Sequence, residues 1–169
     1  MTQIVPGRQT VVKNERFVVF LIGARVNKWW LLPISLPVLI KFQKMSKELL
    51  ANPESGLLAT QELGFGGTVQ YWKSEEHLRR YAQDRNQTHE PVWRTFMKKL
   101  FKPAAIGVWH ETYLIDPGQY ECIYSNMPRF GLGKVGPLVE AKAALSTAQG
   151  RLNYRSSTSG EQREVIGGR

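Results

Sequence analysis

Two side chains able to move protons, His110 and Glu111, stand next to each other in the stretch AIGVWHETYLID, residues 105–116. An imidazole titrates near neutral pH and a carboxylate accepts protons, so both suit general acid–base chemistry. Their neighbours Ile106, Val108, Trp109, Tyr113 and Leu114 are apolar or aromatic, a pattern that predicts a strand. Successive side chains on a strand point to opposite faces. His110 then shares a face with Ile106, Val108, Thr112 and Leu114, and Glu111 shares the other with Trp109 and Tyr113. Neither composition reads as solvated, so the strand is expected on the inside, where each polar group needs a partner. Adjacent residues on opposite faces cannot serve one site together. One is expected to face a cavity and the other the helix layer or a subunit seam. His110 is a candidate proton-transfer residue, with a satisfied core histidine as the competing reading.

Arg25 closes the apolar stretch FVVFLIGARV, residues 17–26. It is a candidate anchor for a substrate carboxylate or carbonyl, or else an ion-pair partner of Glu111 across the sheet. His110, Glu111 and Arg25 make up the expected catalytic set. Tyr71, Trp72, Trp109, Tyr113 and Tyr124 are aromatic residues that build cores by default and also suit the wall of a cavity for an apolar ligand. Asn126, Arg129 and Phe130 lie in a loop rich in distinctive side chains, expected to close that cavity or cross a dimer. His77 and His89 read as structural, and three histidines so placed give no metal triad. The single cysteine, Cys122, excludes an internal disulfide and a cysteine zinc site. It is expected to be inert, and a reducing, cytoplasmic setting is the natural expectation.

These residues need elements to hold them. Residues 17–26 are apolar on both faces and read as a central strand. Val38, Phe42, Met45 and Leu49 have helical spacing, and Asn52-Pro53 ends that helix. Residues 56–73 read as a hairpin turned by Gly64, Gly66 and Gly67. Ser74 caps a helix with Glu75 and Glu76 in its first turn. A second helical piece, opened by Thr88 and Pro91 and ended by Lys102-Pro103, leads into the His110 strand. A short strand at 120–124, a loop from Asn126, a helix at 138–148 and a disordered polar tail at 151–169 complete the expectation. The plan is α+β, a ferredoxin-like βαββαβ unit over residues 1–135, with residues 136–169 as a C-terminal helix and tail. One helix layer covers one face of the sheet, so a second copy of the chain is the expected cover for the other.

At 169 residues with 42% hydrophobic content, the chain is long enough for one packed domain. Its net charge of +9 is scattered, partly on Arg8, Lys13, Arg151, Arg155, Arg163 and Arg169 and partly on Arg94, Lys98, Lys99 and Lys102. That pattern reads as a solvated basic face with no nucleic acid expected; contact with an anionic membrane surface is the lesser option. The opening MTQIVPGRQTVVKNERF has no apolar core and is not read as a signal peptide. The most apolar run, WWLLPISLPVLI at 29–40, is too short to span a bilayer and is expected to start a buried helix, with a lip that touches membrane or admits an apolar ligand as the lesser reading.

VFLIGARVNKWW, VQYWKSEEHLRRYAQD, GVWHETYLIDPGQYECIY and NMPRFGLG together resemble the family related to a fungal terpenoid-biosynthesis monooxygenase, over residues 5–133. That family is similar to the dimeric α+β barrels, which include antibiotic-biosynthesis monooxygenases and haem proteins of the chlorite-dismutase type. The resemblance implies a homodimer with a cavity between sheet and helices. It implies a secondary-metabolism enzyme acting on a small hydrophobic substrate, terpenoid or polyketide-like. A monooxygenase without bound flavin or nicotinamide is the leading expectation. A cyclase, isomerase or dehydratase in the same cavity, a haem enzyme ligated by His110, and a non-catalytic binding protein are the alternatives.

Overall fold

The computed structural model describes residues 3–31, 33, 46–64, 66–83 and 104–154. Seven strands are present among them: β1 Ile4–Val11, β2 Phe17–Val26, β3 Leu57–Glu62, β4 Gly67–Trp72, β5 Ile106–Ile115, β6 Tyr124–Pro128 and β7 Leu138–Glu140. Among the described residues the helices are α1 Glu75–Gln83, α2 Ala148–Leu152 and a helical stretch at 46–51, with several single 3-10 turns. Two antiparallel sheets result, one ordered β3-β4-β2-β5 and one ordered β6-β1-β7. The molecule is α+β, and the four-stranded sheet is compatible with a ferredoxin-like plan.

Local chemistry explains the hairpin and α1. Gly64 and Gly66 take left-handed φ values of +84° and +91° between β3 and β4. Any Cβ at Gly66 would lie 2.5 Å from the Ala24 carbonyl oxygen, so the turn also needs glycine for its close approach to β2. The Ser74 hydroxyl accepts from the His77 amide and contacts the His77 ring nitrogen at 2.7 Å, capping α1. α1 lays Leu78 on the sheet, where it packs with Val18, Leu49, Leu57 and Trp72; Phe20 and Tyr81 complete this cluster. Leu49 comes from a helical stretch of which residues 46–51 are described. The expected helix from Thr88 to Lys102, with His89 and its basic residues, lies outside the described residues.

The opposite face of the sheet receives segments from before β2 and after β5. Phe17 packs with Val11 and Leu132, and Val19, Tyr71, Ile115, Tyr120, Cys122, Tyr124, Val135 and Leu138 close around them. This amends the expectation that a second copy covers this face: β1, β6 and β7 cover its Phe17 end. Other expectations change with it. The strand expected at 120–124 forms at Tyr124–Pro128, so Asn126 lies in a strand rather than a loop. The helix expected at 138–148 is β7, then a 3-10 turn at Ala143–Ser146, then the start of α2. The expected polar tail begins too early at 151. Arg151 is buried, its Nε donates to Glu121 at 2.7 Å and its Nη1 donates to the Leu145 carbonyl, while residues 155–169 lie outside the described residues.

The largest correction concerns β5. Among the described residues it is an edge strand bonded only to β2, and His110, Glu111 and Thr112 are all exposed along with Trp109, Tyr113 and Leu114. The apolar content of the segment is real, but among the described residues its backbone has a bonded neighbour on one side only. Trp29 and Trp30, expected at the start of a buried helix, are likewise exposed.

Candidate functional site

The register between β2 and β5 sorts the candidate residues by face. Gly23 sits opposite Trp109, Leu21 opposite Glu111 and Val19 opposite Tyr113 on the face that the terminal sheet covers at its far end. Ile22 sits opposite His110 and Phe20 opposite Thr112 on the helix side. His110 and Glu111 therefore part to opposite faces, as alternation requires.

On the Glu111 face the Tyr113 hydroxyl donates to Glu111 Oε2 at 2.6 Å. That bond raises the Tyr113 pKa above the ordinary phenol range, because ionising the phenol would set a second negative charge beside the carboxylate. One step along the strand, Trp109 lies against the bare backbone of Gly23. A Cβ there would meet the indole Nε1 at 2.6 Å and the Gly66 carbonyl at 2.8 Å. A glycine inside an apolar strand is the sequence signal for such close approach, and Gly23 was not among the expected site residues. Trp109 remains 43% exposed, so the indole offers a flat apolar shelf beside a carboxylate–phenol pair. Arg25 is exposed on the same face but pairs with Gly107. It stands four residues along the register from Glu111, about 13 Å at the rise of a strand, so the two form no ion pair.

On the helix-side face the His110 ring lies 5.6 Å from the Phe20 ring, among exposed Val108, Thr112 and Leu114. A haem would require this imidazole to project into an enclosed apolar slot. An exposed histidine among exposed face-mates does not fit that group. Among the described residues no cluster of three or more His, Cys, Asp or Glu could hold a metal ion.

The other expected ligand-binding residues are drawn into structure. Trp72 is wholly buried, its indole N–H donating to Gln70 Oε1 at 3.0 Å, and has no surface to offer a substrate. Tyr71 and Tyr124 are half-buried between the sheets; burial raises both hydroxyl pKa values, helped by the neighbouring Cys122. The Gly133 amide donates to the Tyr124 hydroxyl. Asn126, at φ +52°, accepts the Gly7 amide with its side-chain oxygen and fills an irregularity in β1. Arg129 donates to the carbonyls of Gly133 and Gly136, both at 2.9 Å, and holds the turn that Phe130 leads into. That turn reads GLGKVG, the glycine spacing of a dinucleotide loop. It forms only a four-residue 3-10 turn before β7, so it presents no helix N-terminus to a pyrophosphate.

At the other edge of the sheet a groove of about 520 Å³ runs along β3 between Leu50, Lys47 and Lys134. None of the expected site residues lines it.

A protein-family model described as monooxygenase af470-like matches residues 17–132, a span from the start of β2 to the turn after β6. No curated protein matches the chain.

Proposed function

The chain belongs to the monooxygenase af470-like family, and on that premise we propose that it oxidises an apolar substrate laid on the Trp109 side of β5. The observation that carries this reading is the Tyr113–Glu111 hydrogen bond of 2.6 Å beside an exposed indole shelf. Glu111 takes a proton from an activated C–H of the substrate. The resulting carbanion supplies the electrons that reduce O₂, and the Tyr113 hydroxyl, released once Glu111 is protonated, turns to donate toward the negative charge. A methylene and O₂ give a carbonyl and water, which balances without an external reductant, a bound flavin or a nicotinamide. The exposed apolar residues of β5 and its unpaired outer edge suit burial against a second copy, and a homodimer completes the reading. The apolar character of this surface supports a small hydrophobic substrate, and a place in secondary metabolism is part of the proposal.

His110 carries the competing assignment. Its ring against Phe20 and its apolar face-mates Val108 and Leu114 would let it act as the base from the helix side. Oxygen uptake with activated-methylene substrates tests both. Glu111→Gln should lower turnover by about two to four orders of magnitude, with the melting temperature unchanged because Glu111 is exposed. His110→Ala should leave turnover per folded molecule near wild type. The reverse pattern moves the base to His110. Conversion of substrate without oxygen uptake moves the enzyme to the isomerase and cyclase class. A Soret band in the purified protein would replace the scheme with a haem one.

A further inference from the structure

Trp29 and Trp30 are 78% and 60% exposed, the first of them the most exposed large apolar side chain among the described residues. Burial is the rule for such residues, and a contiguous exposed pair marks a contact surface. The two rings meet edge to face at 6.1 Å and 83°, so they form one unit. Their turn, Trp29–Leu31, is fastened to the start of β5: the Asn27 and Lys28 amides both donate to the Ala105 carbonyl, at 2.8 and 3.3 Å. The indoles therefore project from a tethered platform. Arg25 is exposed four residues earlier, Lys28 directly precedes the pair, and the whole chain carries +9.

We propose that this platform is a membrane-surface contact, with Trp29 and Trp30 entering the interfacial layer of an anionic bilayer. Tryptophan prefers that layer because one part of the ring system is apolar and its N–H can bond to headgroups or water. Basic residues beside it add attraction to anionic lipid. The cations beside the pair favour an anionic surface as its occupant, and a second copy of the chain is an outcome of the test. The contact rests on no step of the Glu111 chemistry. Among the described residues no helix is long and apolar enough to cross a membrane.

The test uses the full chain with phosphatidylcholine vesicles, with and without phosphatidylserine, by co-sedimentation and by quenching of tryptophan fluorescence with brominated lipid. Binding should require phosphatidylserine and weaken with salt. Trp29→Ala/Trp30→Ala should weaken it by about tenfold or more at an unchanged melting temperature. Trp29→Phe/Trp30→Phe should keep most of the binding and lose the brominated-lipid quenching, which serves even if the alanine pair folds poorly. Lys28→Glu should weaken binding and flatten its salt dependence. Absence of binding to phosphatidylserine vesicles, binding indifferent to the alanine pair, or binding without quenching overturns the proposal. So does self-association that the alanine pair abolishes while vesicles do not bind, which would give the surface to a second copy.

Discussion

β2 and β5 are both ten-residue strands rich in apolar side chains, paired with each other along their whole length, yet their surroundings are opposite. β2 has a neighbour on each side, and its start is sealed by α1 on one face and by the terminal sheet on the other. Among the described residues β5 has one neighbour, and nine of its ten residues are half-buried or exposed, with only Ile106 buried at its start. Val18 is 1% exposed while Leu114, directly opposite it, is 48% exposed. Composition sets what a strand can bury; its place in the strand order sets what it does bury. The more exposed strand is also the one that carries the acid–base groups.

Substitutions can break this contrast. Phe17→Ala should cost about 3–5 kcal/mol, because Phe17 is 1% exposed and packs between the sheets. Leu114→Ala should stay within about 0.5 kcal/mol in dilute solution, measured by urea denaturation. If a second copy covers β5, the Leu114→Ala cost will grow with protein concentration, and the contrast between the strands will close. Arg151→Ala should cost about 3 kcal/mol, since Arg151 is buried in its bond to Glu121 and ties α2 to the segment before β6. A melting temperature unchanged by Arg151→Ala would detach α2 from the fold. Gly23→Ala should cost about 1–3 kcal/mol because its Cβ meets the Trp109 ring and the Gly66 carbonyl. Trp109→Ala in the same chain should restore part of that loss; a lack of rescue would mean that the Gly66 contact dominates.

Alkali should give the smallest effect, confined to the covered region. Burial pushes the Tyr81 hydroxyl up to about 12. The folded state holds this proton longer than the unfolded chain does. Its contribution is therefore complete below about pH 10 and lost as pH rises through about 12. A melting temperature that falls across this window in wild type, and falls less in Tyr81→Phe, would bear this out.

The four strands of the larger sheet and α1 were legible because each has a local signature: β-rich runs at 17–26 and 106–115, glycines at 64, 66 and 67, and Ser74 before two glutamates. The opposite facing of His110 and Glu111 followed from alternation alone. The terminal sheet was not legible. β1 contains Pro6 and Gly7 and β7 has three residues, so each is a strand only because the other strands are present to bond it. The hydrogen-bonding duties of Asn126, Arg129 and Tyr124 were hidden for the same reason, since their partners lie on other elements. The exposure of β5 was hidden because no local pattern separates an edge strand from an inner one when both of its faces are apolar.

That terminal sheet also shapes how the chain reaches its native state. The Gly7 amide finds Asn126 across 119 residues, and β1 bonds on both sides to strands made much later. Closing so long a loop is entropically slow, and pairings of high sequence separation lower folding rates. During synthesis β1 emerges first and must wait, with both edges open, until β6 and β7 have left the ribosome. The larger sheet, completed by residue 115, is then the surface on which β1, β6 and β7 are last to meet.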